Sequence, residues 1–516
     1  MKNRKVIIIG LDGATFDLIA PWANEGKLPN FKKLMKKGTW GELESTIPHV
    51  TPPAWTSMTT GKNPAKHGIF EFMGMERTND EWEFRLYTSR NKKTKEILNY
   101  LGNKKSIVIN LPLTYPPYKI NGLMVTGMLT PDTDSNFTYP KELKKEILKL
   151  FPSYRIELNW SEYKGKKQKF LKDLYKMTDE RIKLFWYFLK MDWQFFFFVF
   201  IGTDRIQHII WDDNELLKYY MYLDEFLGEL MKKIKNEDTY LFLVSDHGFS
   251  KVKKEVYINT FFVQEGYLSL KIKHRKFVYG IGISREVLSE LMVKSGLKRF
   301  YIKLPPKILN FIRKGLPGKS NPVYDFDLKI SKAVMMGMGN IYITEENDSL
   351  KEEIIKKLES LKDPDTGERV IEKVFRKEEI YQGRFINKAP DLVILPKKGY
   401  SLIHKLSDVP IRNPQFKKAD HALNGIFLAH GQGIKHGIKI ENARIYDIVP
   451  TILHIFNLPI PEDIDGKVLK EIFEGNSEFA KRKPKYLGSR YYDNKREDEK
   501  IKKAIKELKL KGKNLK

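Results

Sequence analysis

Asp246 and His247 stand side by side where a run of apolar residues stops, in Tyr240-Leu-Phe-Leu-Val-Ser-Asp-His-Gly-Phe249. A hard carboxylate oxygen beside an imidazole nitrogen suits a divalent cation such as zinc. Four further places carry related side chains. Asp12 follows the apolar run Lys5–Leu11 in Gly-Leu-Asp-Gly-Ala. Asp204 and His208 lie four residues apart in Gly202-Thr-Asp-Arg-Ile-Gln-His208, a spacing that puts both on one face of a helix and lets adjacent turns grip one ion. Thr51 precedes Pro52-Pro53, and proline favours the first position of a helix; the Thr51 hydroxyl then lies at a helix's positive end, where phosphate also binds. His421 sits ahead of another apolar stretch. Taken singly, each has a plain structural explanation: a turn aspartate for Asp12, an N-cap for Thr51, a surface pair for Asp204 and His208, a packed imidazole for His421.

The elements that must position these residues are readable from periodicity. Lys5–Leu11 and Thr239–Val244 read as strands, and Phe195–Gly202, without alternation, as a strand buried on both faces. Ile107–Leu111 and Leu123–Met128 read as short strands. Asn30 is expected to cap a helix whose apolar stripe is Phe31, Leu34 and Met35. Pro140–Leu150, Gln168–Leu189, Leu216–Lys235 and Ile445–Phe456 read as further helices. Strands alternating with helices predict a mostly parallel sheet covered on both sides, with chemistry outside the carboxyl ends of its strands.

That pattern blurs between Lys251 and Lys388, where Ser284–Leu297 and Leu350–Leu361 look helical and Asp363–Gly367 forms a turn. Core-like sequence resumes at Ala389–Leu395. The expected organisation is a core in three parts, 1–128, 186–250 and 389–475. Interrupting it are a helical insertion or cap segment (129–185) and a cap insertion (251–388), and a basic tail (476–516) follows.

The chain has no cysteine among 516 residues, so any metal is held by Asp, Glu, His or hydroxyl groups. The apolar run Val6–Ile9 is too short for a signal sequence, and Trp193–Ile201 is too short to span a bilayer; a soluble, cytoplasmic protein is expected. The net charge is +27, which fits an anionic substrate or a lysine-rich surface of the kind heat-adapted proteins carry. Residues 481–516 hold 15 Lys or Arg against 5 Asp or Glu, a surplus of 10, with Ile501, Ile505 and Leu508 at helical spacing. An amphipathic helix is expected there, able to touch anionic surfaces peripherally. No nucleic-acid-binding motif accompanies it.

Taken in order, Asp, Thr, Asp-x-x-x-His, Asp-His and His make the chain resemble the alkaline phosphatase superfamily. It is most similar to the type I phosphodiesterase/nucleotide pyrophosphatase family, in its branch of prokaryotic phosphohydrolases or phosphomutases. The resemblance runs from Lys5 to about Phe473. It also takes in Thr60-Gly-Lys-Asn-Pro-x-x-His67-Gly-Ile69, Ala389-Pro-Asp-Leu-Val393, Asp447-Ile-Val-Pro-Thr-Ile-Leu453 and Pro461-Glu-Asp-x-Asp-Gly466. It implies an alkaline-phosphatase-like three-layer α/β sandwich with a cap insertion. It implies a metal-dependent phosphohydrolase that cleaves a small anionic phosphodiester or phosphomonoester, with phosphoryl transfer or a mutase reaction as the alternative. Asp204, His208 and His421 resemble the ligands of one divalent ion. Asp12, Asp246 and His247 resemble those of a second, with Thr51 bound to it as the nucleophile that becomes a phosphothreonine. The nitrogen and oxygen ligand set fits two zinc ions, with manganese the alternative.

Four residues and one loop do not fit these roles. His67 and His430 match no ligand of the family and read as structural. Thr56 and Ser57 lie inside the helix that Thr51 opens. Gly315–Ser320 is similar to a phosphate loop, yet its first glycine would fall at Arg313. Two departures bear on substrate. Nucleotide pyrophosphatases of the family carry Asn in His-Gly-Ile-x-x-Asn, where this chain has Phe72, so an oxyanion donor is expected from backbone N–H groups at the helix start or from elsewhere. Sulfatases need Cys or Ser as nucleophile and an Arg four residues on, where this chain has Thr51 and Trp55.

Overall fold

The computed structural model describes residues 4–78, 81–158, 162–163, 165–234, 238–271, 326–345, 347–415, 417–488 and 491–492. The expected helix Ser284–Leu297, the Gly315–Ser320 loop and the tail residues Ile501, Ile505 and Leu508 lie outside them. The chain divides into two compact units, one of residues 1–69, 87–249 and 421–516, the other of residues 70–86 and 250–420.

The first unit is built on a nine-stranded sheet. Its order is Ile438–Arg444, Thr39–Glu44, Asn424–His430, Thr239–Val244, Lys5–Leu11, Phe195–Phe200, Ser106–Leu111, Gly122–Thr126 and Thr138–Tyr139. The five strands from Thr239–Val244 to Gly122–Thr126 run parallel. Asn424–His430 joins antiparallel, between Thr239–Val244 and Thr39–Glu44.

Phe195–Phe200 shows why this is a three-layer structure. All six of its residues are buried. On one face, Phe196 and Phe198 pack edge-on against Phe185 with ring centroids 5.1 and 5.2 Å apart, and Phe200 meets Phe226 at 5.1 Å. Phe185 and Phe226 belong to the long helices Lys167–Leu189 and Asp213–Lys233. On the other face Phe197 meets Trp55, from the helix Thr51–Thr60, at 5.9 Å. A parallel strand with helices on both sides has no solvent face and therefore no reason to alternate.

Several element ends differ from expectation. The Phe31, Leu34 and Met35 helix spans Pro29–Lys37 and begins on Leu28 rather than on a capping Asn30. Proline takes the first turn, and the Asn30 side chain instead donates to Asp224 Oδ2 at 2.9 Å. The helix expected from Pro140 runs Leu143–Leu150, because Thr138–Tyr139 is still in the sheet. Ile445–Asp447 is a tight 3-10 turn ahead of the helix Ile448–Ile455.

The second unit has its own core. An antiparallel sheet of Ala333–Met336, Asn340–Ile343, Leu392–Pro396 and Ile371–Arg376 packs with Leu350, Ile354 and Leu358 of the helix Asp348–Glu359. Leu392–Pro396 is the stretch from which a return to the main core was expected. Its partners are Asn340–Ile343 and Ile371–Arg376, so it belongs to this smaller sheet. An apolar run identifies a strand but not the sheet it joins. No helix among the described residues is long and apolar enough to cross a membrane.

Candidate metal centre

Three neighbouring parallel strands deliver their side chains at their carboxyl ends. Asp12 follows Lys5–Leu11, the helix Gly202–Ile209 follows Phe195–Phe200, and Ser245-Asp246-His247 follows Thr239–Val244. His421 lies just before Asn424–His430, whose opposite direction brings its start to the same end of the sheet. Thr51 is the first residue of the helix Thr51–Thr60, one place inside the cap, which is Val50.

Two donor triads result. In the first, Asp204 Oδ1 is 3.3 Å from both His208 Nε2 and His421 Nε2, and the two imidazole nitrogens are 3.0 Å apart. In the second, His247 Nε2 is 3.4 Å from Asp246 Oδ2 and 3.7 Å from Asp12 Oδ1. Thr51 Oγ1 is also 3.4 Å from His247 Nε2. The triads adjoin, with the rings of His247 and His421 stacked at a centroid distance of 3.7 Å. All seven residues singled out from the sequence are thus brought together.

The residues fit divalent cations. Four donors at about 2.0–2.1 Å around a tetrahedral ion lie about 3.3 Å from one another, close to the spacings found. Asp12 Oδ1 and Asp246 Oδ2 are fully buried and have no hydrogen-bond partner among the described residues, although a buried carboxylate oxygen demands one. The imidazoles are turned the right way. His247 Nδ1 donates to the Gly248 carbonyl at 3.0 Å, and His421 Nδ1 to the His49 carbonyl at 3.1 Å. A carbonyl only accepts, so those nitrogens carry the protons and each Nε2 presents a lone pair.

Electrostatics agrees with the geometry. Burial, and then the charge of Asp204, pushes the Asp12 acid up to about 7. Burial and the charges of Asp12 and Asp204 push Asp246 well above its ordinary range. Burial also opposes charge on Asp204, yet His208 and Arg205 hold its acid well below the usual range. Burial, followed by His421, keeps His247 neutral by lowering its pKa. Three crowded carboxyl groups beside the neutral His247 imidazole form a cage that a cation relieves.

Sequence reasoning missed several supports. Trp55 Nε1 donates to Asp12 Oδ2 at 3.1 Å, and Trp55 stands one helical turn after Thr51, a spacing that could have placed it at the site. The Gly13 N–H donates to Asp246 Oδ1 at 3.3 Å. Phe249 sets its ring against His208, His421 and His247, with centroids 4.7, 5.2 and 5.9 Å away. The expected backbone oxyanion donors are scarce. Pro52 and Pro53 have no N–H, and the Ala54 N–H donates to the Val50 carbonyl at 3.0 Å. His67 is structural: its Nδ1 accepts from the Ile69 N–H at 3.2 Å, its Nε2 meets Ser57 Oγ at 2.9 Å, and burial lowers its pKa to about 3. His430 bonds the Lys37 carbonyl at 2.8 Å, away from the cluster.

A family model described as type I phosphodiesterase/nucleotide pyrophosphatase matches residues 6–424. The chain belongs to that family. As a type I phosphodiesterase relative it is a hydrolase acting on phosphoric ester bonds, from a metal-dependent family, and its fold is the alkaline-phosphatase-like α/β sandwich. Murine ectonucleotide pyrophosphatase/phosphodiesterase 5 is similar in fold, with a TM-score of 0.52 and 14% identity over 91% of this chain and 100% of that one. The same values hold for an inactive Thr→Ala variant of the murine protein in complex with AMP. The human protein gives 0.53 and 13% over 92% and 100%. No curated protein matches the sequence.

Proposed function

We propose that this family member hydrolyses phosphate esters through a phosphothreonine on Thr51 at a site for two divalent ions. Asp204, His208 and His421 would hold one ion, and Asp12, Asp246, His247 and Thr51 the other. The observation that carries the reading is the pair of adjoining donor triads with Thr51 Oγ1 3.4 Å from His247 Nε2. Ions bound there would ease loss of the Thr51 proton and offset charge on the phosphoryl oxygens. Thr51 Oγ1 forms a bond to phosphorus as the ester oxygen departs and takes up a proton. Water then attacks the phosphothreonine, releasing phosphate or its monoester and restoring the hydroxyl. Trp55 holds Asp12, Gly13 holds Asp246, and the backbone carbonyls of Gly248 and His49 hold the two imidazoles in their ligating tautomer. The inactivity of the murine Thr→Ala variant supports a threonine nucleophile.

Donor spacings near the tetrahedral value favour zinc, with manganese the alternative. Phe72, in place of the family's Asn, favours a simple phosphate ester over a nucleotide. The test compares p-nitrophenyl phosphate, bis-p-nitrophenyl phosphate and a p-nitrophenyl phosphonate ester, each with Zn2+ and with Mn2+. Acid-quenched enzyme is then examined for phosphate on Thr51. Turnover with no phosphate trapped on Thr51 and full activity in Thr51→Ala would overturn the mechanism.

A further inference from the structure

Arg205 and Glu157 lie beside the first triad and are not ligands. The Arg205 guanidinium reaches back along its own helix so that Nη1 bonds Asp204 Oδ2. Residues i and i+1 do not face each other on a helix, so the contact requires the arginine side chain to fold over its neighbour. Its other edge is taken: Nε donates to Glu157 Oε1 at 2.9 Å and Nη2 to Glu157 Oε2 at 2.6 Å. Two parallel bonds from a planar fork to one carboxylate define an orientation, which a lysine could not do.

Glu157 is itself anchored. The carbonyl of Ile156, one residue earlier, accepts from Nη2 of buried Arg181 at 2.6 Å. Arg181 Nη1 donates to the Val199 carbonyl at 3.3 Å, within the strand that leads into the Asp204 helix. Strand, Arg181, Ile156, Glu157, Arg205 and Asp204 thus form one closed set of contacts. A substrate role for Arg205 is disfavoured, because the fork a phosphate would need already grips Glu157.

We infer that Glu157 and Arg205 are a positioning pair: by holding Asp204 Oδ2, they leave Asp204 Oδ1 as the single oxygen facing His208 and His421, and so shape one of the two cation sites. The inference rests on the two-ion reading of the cluster. Partners that fix a metal ligand in this way are worth about 10–100-fold in metal affinity.

The test titrates the full-length, metal-stripped protein with Zn2+ alone, by calorimetry and by competition with a chromophoric chelator. The expected result for Glu157→Gln is two ions still bound at saturation, one with a dissociation constant raised about 10–100-fold and the other unchanged. A double variant, Glu157→Gln with Arg205→Gln, removes both charges together; it remains weakened if the pair acts by position. The melting temperature of each metal-free variant is the control. A role confined to folding lowers that temperature and leaves both zinc affinities as in the parent. Wild-type zinc affinities in Glu157→Gln, or full recovery in the double variant, would overturn the positioning role alone. A parent protein that binds no zinc, or an Asp204→Asn variant that still binds two ions at parental affinity, would overturn the two-ion reading itself.

Discussion

The Nε2 atoms of His208 and His421 face each other at 3.0 Å, and Asp204 Oδ1 is 3.3 Å from each. Because His421 is protonated at Nδ1 by its bond to the His49 carbonyl, its lone pair points into this triangle. Without an ion the contact is closed by a proton on His208 Nε2 donated to His421 Nε2, and a bound cation would take that proton's place. Dialysis against a chelator should therefore abolish ester hydrolysis and lower the melting temperature, and about two equivalents of Zn2+ should restore both. At a free ion concentration 100 times the dissociation constant the stabilisation is about 2.7 kcal/mol for each site. His421→Ala should bind one ion fewer, as read by metal analysis after gel filtration.

Thr51→Ala removes the hydroxyl while leaving Asp12, Asp246 and His247 in place. Turnover of bis-p-nitrophenyl phosphate should fall on the order of 10⁴-fold or more, with zinc content nearly unchanged. Thr51→Ser keeps the attacking atom and should retain measurable activity. Loss of both ions in Thr51→Ala would mean that the residue organises the site rather than reacting in it.

In the metal-free protein the contribution of Asp12 and Asp246 to stability should shrink as pH rises. Folded Asp12 keeps its proton up to about 7, whereas the unfolded chain releases it near the ordinary 3.8. Asp246 shifts in the same direction for the same reason, burial together with neighbouring carboxylates. At these two carboxyls the folded state therefore binds more protons, so their contribution to stability falls as pH rises from about 4 through about 7, while His67 and His247, whose pKa values burial lowers, contribute with the opposite sign below the ordinary 6.5. Asp204 contributes with the opposite sign, its stabilisation fading as pH falls below the ordinary carboxylate range. Bound Zn2+ should flatten the rise-side loss, since the cation replaces the protons. Thermal melts between pH 4 and 8 of the metal-free parent and of Asp12→Asn, with and without Zn2+, check this; a metal-free parent that does not lose stability relative to Asp12→Asn as pH rises would contradict it.

Trp55 links packing to the site. Its ring lies so close to Gly10 that a Cβ there would come within 2.5 Å of Trp55 Cη2 and 3.0 Å of Val199 Cγ2. Gly10→Ala should cost about 1–3 kcal/mol by overpacking, measured by denaturant unfolding. Trp55→Phe keeps most of the apolar contact and deletes the bond to Asp12 Oδ2, which should cost about 1.5–3 kcal/mol and weaken zinc binding.

The places of Asp12 and Asp246 were legible in the sequence because strand ends announce themselves, whereas their grouping with Thr51, Asp204, His208 and His421 was legible only through the family resemblance. Lys5–Leu11 and Thr239–Val244 are apolar runs that stop at Asp12 and just before Asp246, and their observed limits coincide with the expected ones. The i, i+4 spacing of Asp204 and His208 likewise survives in the helix Gly202–Ile209. What could not be read depends on contacts between distant segments. Nothing local tells that Glu157 grips Arg205 across 48 residues, or that Asn30 turns to Asp224 instead of capping its helix. The sheet to which Leu392–Pro396 belongs is hidden for the same reason, since its apolar side chains would suit either core.

The edge region of the large sheet has a consequence for how the molecule comes into being. Thr39–Glu44 is paired with Asn424–His430 on one side and Ile438–Arg444 on the other, so an early segment waits for one almost four hundred residues later to supply both neighbours. His421 arrives with that same late segment. During synthesis the ribosome must deliver more than four hundred residues before either the sheet or the first ion site can close. Such long-range pairing makes folding slow, and it leaves the unpaired Thr39–Glu44 strand exposed to chaperones and to aggregation in the interval. The proposed site is thereby tied to the segment 421–444: a truncated product lacking residues beyond 420 would lack His421 and the partners of Thr39–Glu44 together.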